Sequence, residues 1–152
     1  MLQFRDMYAH ETTLRVRYGE TDAMGYVYHG NYAEWLEVAR VELLREIGMP
    51  YTCFEKLDII MPVREMSIRY LKPAHYDELI TIRTFLDQLP AFRVQLRYEL
   101  YNEELELIST AQVLLVPYNR SRKKPCMPPE DFLKLLNPYF RDVKPLKVLE
   151  CL

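Results

Sequence analysis

Glycine is scarce in this chain, with 4 copies among 152 residues. Scarce glycines tend to sit where the backbone needs them, and Gly25 and Gly30 both fall within residues 18–35. Cysteine is scarcer still. The three copies (Cys53, Cys126, Cys151) are scattered and form no C-x-x-C or His/Cys cluster, which argues against a zinc site and a disulfide framework. A reducing cytoplasm is the expected compartment. No run of about 18 apolar residues occurs, so no membrane span is expected. The opening residues, MLQFRDMYAHETTLRV, lack the apolar core of a secretory signal. Positive charge is not in excess: the net charge is -2, which gives no electrostatic reason to expect nucleic-acid binding. Neither G-x-x-x-x-G-K nor G-x-G-x-x-G occurs, so nucleotide binding of those kinds is not indicated.

What is present is an ordinary globular balance, 49% apolar and 28% charged, with 12 tyrosines. The length suits one domain spanning residues 1–152. Residues 12–18 (TTLRVRY) alternate, with Leu14, Val16 and Tyr18 on one face, which predicts a strand. A helix is expected over 32–47, because Tyr32, Leu36, Ala39, Leu43 and Ile47 recur at helical spacing with Trp35 beside them. Asn31 is the expected N-cap, with Glu34 closing a box-like arrangement. Gly48 and Pro50 are the expected stop. Four more strands are expected, around Met66–Leu71, Leu79–Thr84, Phe92–Leu100 and Leu105–Leu115, the last two joined by a turn at Asn102-Glu103-Glu104. A short tail helix is expected at about 129–137, ended by Pro138. Short connections imply an antiparallel sheet. The predicted fold class is α+β, one long helix wrapped by one face of a five-stranded sheet. A free sheet edge invites self-association.

The unusual stretch is YGETDAMGYVYHGNYAEW, residues 18–35. It places an acid, Asp22, a few loop residues before the start of the long helix. A helix N-terminus offers unpaired N–H groups and a partial positive charge. Gly25 allows the chain to fold back, so that acid and amides face one site. Read without context, Asp22 is a turn-former, Tyr18 a packed strand end and Asn31 a cap. Glu37 reads as salt-bridged to Arg40 or Arg64.

The run RVRYGETDAMGYVYHGNYAEWLEVARVELLREIG resembles the signature of hotdog-fold thioesterases, the 4-hydroxybenzoyl-CoA thioesterase family with its bacterial YbgC-type acyl-CoA thioesterases. The match is carried by Thr21-Asp22, Gly25, Val27, His29, Asn31 and Tyr32, then Glu37, Ala39, Arg40 and Glu42. IRYLKPAHYDELITIRT, with Lys72-Pro73-Ala74 and Asp77, and VPYNRSRKKPCMPPE support it. The likeness covers about residues 12–130. Met24-Gly25 departs from the two successive glycines of many YbgC-type members.

The resemblance implies a hotdog fold and hydrolysis of acyl-CoA to a carboxylic acid and CoA. It implies Asp22 as base or nucleophile, and amides at the helix start as oxyanion donors. His29 would donate its backbone N–H, with its side chain near water or the sulfur, and Tyr18 would line the site. Gly25, Val27 and Gly30 would shape the substrate site. Within the basic run, Arg122 and Lys123 would meet the CoA phosphates. No metal or redox cofactor is expected, CoA being part of the substrate. Homodimers paired into homotetramers are expected, with residues near Glu65–Ser67 of one subunit approaching Asp22 of the other. Two rivals share the fold: a hydroxyacyl-thioester dehydratase using His29 with Asp22, and a non-catalytic acyl-binding scaffold.

Overall fold

The computed structural model describes residues 6–140. Strand β1 (Tyr8–Arg15) opens the chain and helix α1 (Asn31–Ile47) follows a loop. A short helix α2 (Tyr51–Lys56) comes next, then β2 (Ile59–Ile60) and β3 (Val63–Tyr70). Strands β4 (Leu79–Leu86), β5 (Val94–Tyr101) and β6 (Leu107–Leu115) complete the main sheet. Strands β7 (Tyr118–Asn119) and β8 (Lys124–Pro125) precede helix α3 (Glu130–Leu136). The main sheet is antiparallel with five strands in the order β1-β4-β5-β6-β3. The expected α+β hotdog architecture is borne out: one long helix lies in the curve of this sheet.

The two periodicities explain the packing. Tyr32, Trp35, Leu36, Ala39, Leu43 and Leu44 are the buried stripe of α1. They meet the inward residues of the central strands, Ile80 and Ile82 of β4, Leu96, Tyr98 and Leu100 of β5, and Val113 of β6, all fully or nearly fully buried. Burial of such side chains contributes roughly 1.5–3 kcal/mol each. Helix α3 is part of the same core through Phe132 and Leu136, with Phe132 edge-on to Phe54 of α2 at 5.1 Å between ring centroids.

Several boundaries differ from the sequence reading. Strand β1 spans Tyr8–Arg15, not 12–18, because its partner β4 runs only from Leu79, opposite Arg15, to Leu86, opposite Tyr8. Tyr18 therefore starts a 3-10 turn (Tyr18–Glu20) and is 78% exposed. Phe92 stands outside β5, half-exposed. Leu105 stands outside β6 at φ 61°. The Asn102 side chain explains the longer turn, since its oxygen accepts the amides of Glu104 (3.1 Å) and Glu106 (2.9 Å). Helix α2 and the small sheet β2-β7-β8 were not foreseen. Gly48 is left-handed at φ 100°, as expected of a helix stop.

The Asn31 cap is not formed. Gly30 is the N-cap of α1, with no side-chain cap, and the Asn31 amide group donates instead to the Glu20 carbonyl at 2.8 Å. A tertiary partner has taken the side chain from the local one. Glu37 does pair with Arg40, at 3.5 Å. Among the described residues no helix is long and apolar enough to cross a membrane.

Candidate active site

The loop between β1 and α1 is a small hairpin. Thr21 and Val27 form an antiparallel bridge. Between them the Asp22 amide donates to the Tyr26 carbonyl (2.8 Å), and the Gly25 amide donates to the Asp22 carbonyl (3.0 Å). Gly25 sits at φ 80°, a conformation costly for a residue with a Cβ. One Asp22 carboxylate oxygen, Oδ1, accepts the Met24 amide at 2.9 Å, which orients the side chain.

Beneath the hairpin lies a buried acid, Glu20, 6% exposed. Its Oε1 accepts the Trp35 indole N–H at 3.0 Å, and its Oε2 accepts the Arg17 amide at 2.8 Å. The Arg17 guanidinium reaches Oε1 at 2.7 Å. Burial disfavours this carboxylate, but the bonds from Arg17 and Trp35 outweigh that, and its pKa lies below the ordinary value. Its backbone carbonyl accepts both the Tyr28 amide (2.8 Å) and the Asn31 side chain (2.8 Å). Glu20 thus ties the loop to α1 through both its ends.

These ties fix the start of the helix. The Asn31 amide donates to the Tyr28 carbonyl at 3.0 Å and the Tyr32 amide to the His29 carbonyl at 3.3 Å. The amides of His29 and Gly30 have no protein acceptor among the described residues. Of the amides at the helix start, the fold thus consumes those of Asn31 and Tyr32 internally.

A cleft of about 290 Å³ opens beside this helix start. Asp22, Val27 and His29 line it, with Tyr32, Tyr70 and Pro73 among its apolar walls. Val27 is buried and bonded to the Ala74 carbonyl at 2.9 Å. Burial, chiefly, pushes the Tyr32 hydroxyl up to about 12, so it stays neutral. Met24 also lines the cleft. A Cβ added at Gly30 would stand 2.7 Å from the half-exposed Tyr28 ring, which would have to shift to admit it.

Five expected site residues, Gly25, Gly30, Tyr18, Arg122 and Lys123, are not among those lining this cleft. Tyr18 packs edge-on against Tyr76, ring centroids 5.6 Å apart, on the solvent side of the loop. Arg122 and Lys123 lie in the turn between β7 and β8. That turn is held by Asp58, whose carbonyl accepts the Arg120 amide (3.0 Å) and whose carboxylate accepts the Ser121 amide (2.9 Å). Residues the sequence reading missed are Glu20, which reads as one more exposed acid, and Tyr70, which reads as a strand residue. A buried indole N–H needs an acceptor, so the lone tryptophan was a signal that an acceptor had to be near.

The profile of the thioesterase-like superfamily matches residues 16–136. The chain belongs to this superfamily. The match takes in the hairpin, α1 and the whole of the sheet after β1, and the expectation of an enzyme of the thioesterase class is borne out by this membership. One thioesterase relative is YneP of Bacillus subtilis (strain 168), whose name carries a provisional acyl-CoA thioesterase assignment. It is 39% identical over 101 residues, covering 66% of this chain and 73% of the relative. The acyl-CoA thioester hydrolase YbgC of Escherichia coli O6:H1 is 31% identical over 112 residues, covering 74% of this chain and 84% of the relative. Among solved structures, the DHNA-CoA thioesterase of Staphylococcus aureus superposes with a TM-score of 0.75 at 35% identity, covering 88% of this chain and 85% of that one.

Proposed function

We propose that this protein hydrolyses the thioester bond of acyl-CoA, releasing a carboxylic acid and coenzyme A. One observation carries the reading: Asp22 shares a cleft with His29, at a helix start whose amides 29 and 30 have no acceptor among the described residues. The names of the relatives point to the same substrate class.

In this reading the thioester carbonyl oxygen lies against those two amides. As the carbonyl carbon becomes tetrahedral, negative charge builds on that oxygen. The amides and the positive end of α1 meet it without reorganising. Asp22 either takes a proton from the attacking water, or attacks the carbon itself, expelling the CoA thiolate and leaving a mixed anhydride that water then hydrolyses; both routes end with acid and thiol. A carboxylate base contributes about 100- to 10,000-fold. The His29 side chain stands near the water or the sulfur. Gly25 and Gly30 give the backbone its turn and its close approach, and Val27 is the floor. Tyr18 has its place on the outer side of the loop. The reaction needs no metal or redox cofactor, since a thiolate is already a competent leaving group.

The chain acts as a homodimer in this proposal, and dimers pair into tetramers. Strand β3 is the edge of the main sheet, and seven of its eight residues are exposed, Val63, Met66 and Tyr70 among them. Antiparallel pairing of two such edges about a two-fold axis sets Val63 of one copy beside Tyr70 of the other. A groove at that start of β3 is lined by Arg64, Glu65, Tyr118 and Pro125. The β7–β8 turn therefore arrives at the cleft from the partner, and with it Arg122 and Lys123, cations suited to the CoA phosphates. The cytoplasm, where CoA esters are made and used, is the proposed compartment.

The deciding assay is thiol release by the purified protein from a panel of acyl-CoAs, acetyl to palmitoyl and benzoyl types. Release from at least one, abolished by Asp22→Asn with CoA binding retained, is the expected result. Water loss from a hydroxyacyl-CoA without thiol release would mark a dehydratase. Binding without turnover in both forms would mark a scaffold.

A further inference from the structure

The helix-facing side of β3 is not covered as that of its neighbour is. Met66, Ile68 and Tyr70 stand opposite Val113, Ala111 and Ser109 of β6, and paired residues share a face of the sheet. The β6 residues are buried, whereas Met66 is 40% exposed and Tyr70 46%. An open seam is therefore left between α1 and β3. The Asp22 cleft is at one end of it, where Tyr32 and Tyr70 are walls and the Tyr70 hydroxyl donates to the His29 carbonyl at 2.9 Å. Further along is a second hollow of about 130 Å³. Leu36, Val63, Met66 and Val113 are its apolar walls, and Arg40 and Tyr98 belong to its polar end. From Tyr32 to Arg40 the helix rises about 12 Å.

Tyr98 is buried, yet among the described residues its hydroxyl has no hydrogen-bond partner, and it is not sealed away as the Thr84 hydroxyl is. A buried phenol normally has a partner. Burial, chiefly, holds this hydroxyl above its ordinary pKa; the Arg40 charge opposes the rise and the Glu37 charge adds to it, so both heads lie close by. The hydroxyl is a neutral donor at physiological pH. The Arg40 side chain is largely buried, and its one ion pair among the described residues, with Glu37 at 3.5 Å, leaves other N–H groups of its fork free. Donors thus gather at the end of an apolar seam. Glu37 offsets the Arg40 charge, so the group that complements them is an uncharged acceptor.

We propose that Tyr98 is a specificity-determining residue for thioester hydrolysis: the acyl chain runs from the Asp22 cleft along the seam, and an oxygen near its far end accepts the Tyr98 hydroxyl and an Arg40 N–H. The inference rests on the thioesterase reading and names the acyl class within it, an aliphatic chain with a hydroxyl or keto oxygen remote from the thioester. The chain passes along the exposed side of Tyr70 and lies against Leu36, Met66 and Val63, whose surface it removes from water. A plain chain of the same length fills the same walls but leaves the Tyr98 hydroxyl unpaired in a site now closed to water. One neutral hydrogen bond of this kind is worth about 2- to 12-fold in discrimination.

The test compares two matched series on the full chain, straight-chain acyl-CoAs from hexanoyl to decanoyl and their ω-hydroxy counterparts. The unaltered protein is expected to favour the ω-hydroxy ester in kcat/KM by about 2- to 12-fold at the length that spans the seam. Tyr98→Phe keeps the ring and removes the hydroxyl, and is expected to lower that ratio by a similar factor. Its thermal midpoint should hold or rise, since no protein partner is lost. A ratio unmoved by Tyr98→Phe, with both series slowed alike, would make Tyr98 a packing residue and overturn the inference. So would the lack of any ω-hydroxy preference in the unaltered protein. Hydrolysis confined to acetyl- and propionyl-CoA would mean that a second copy fills the seam, and overturns this inference alone. Absence of thiol release from every acyl-CoA, benzoyl types included, overturns the thioesterase reading and this inference with it.

Discussion

The two ends of α1 are finished in opposite ways. At the C-terminus Gly48 turns left-handed at φ 100°, and its amide donates to the carbonyls of Arg45 and Leu44. The Met49 amide adds a bond to the Leu44 carbonyl at 3.0 Å. That end is closed by local groups and faces no described cleft. At the N-terminus no side chain caps the helix, and the one candidate, Asn31, is turned away to the Glu20 carbonyl. Two amides, those of His29 and Gly30, have no acceptor among the described residues, and a cleft lined by His29 and Asp22 opens beside them. Orphan groups at a helix end are normally satisfied. An end left open beside a cavity, on a helix whose other end is closed by local groups, is the contrast on which the proposed oxyanion role of these amides rests.

The largest effect expected is at the open end. Asp22→Asn lowers kcat by about 100-fold or more, with the thermal midpoint unchanged within error, as read by thiol release and calorimetry. A midpoint that falls with activity would make Asp22 a structural turn residue. The amide at position 30 is tested by a pair of variants. Gly30→Ala adds a Cβ against the Tyr28 ring and keeps the N–H; Gly30→Pro adds a comparable obstruction and removes it. The φ of -65° at this position already suits proline. Gly30→Pro is expected to hydrolyse about 100-fold more slowly than Gly30→Ala. Equal rates would remove that amide from the oxyanion site.

Glu20→Gln probes what holds the open end in place. It leaves the Trp35 indole with a weaker, neutral acceptor and is expected to cost about 1–3 kcal/mol of stability at neutral pH. The sign follows from the lowered pKa: the carboxylate contributes fully above the ordinary carboxylate range, and its contribution fades as pH falls through the depressed native value. Denaturant unfolding of the two proteins should therefore differ at pH 7 and converge in acid. A gap that persists there would mean that the charge is not what matters. The smallest effect is at the closed end. Gly48→Ala forces a side chain into the left-handed region, at a cost of about 1–2 kcal/mol, with kcat per folded molecule unchanged. A loss of kcat would couple the two ends and blunt the contrast between them.

The closed end was legible because its cause is local: a glycine after an apolar helical stripe, then a proline, needs no distant partner. The five long strands and the helix were legible for the same reason, since period 2 and period 3.6 are written in neighbouring residues. The sequence also marked Asp22 and Gly25, and the hairpin they form is held by bonds among residues 21 to 27. The misplaced ends of β1 and β6 depended on the length of a partner strand and on the Asn102 side chain. Helix α2 was missed because Pro50 reads as a stop and serves here also as the N-cap of the next helix.

By itself, then, the chain of residues determined the architecture, the family and the acid of the candidate site, because each rests on patterns and spacings within a short window. Only the tertiary structure decided which amides are open. That choice depends on Glu20 reaching Trp35 and Asn31, and on Tyr70 reaching His29 from a strand 41 positions away. Hydrogen bonds across such separations carry no periodic trace in sequence; they exist only once the sheet has brought its edge to the start of the helix.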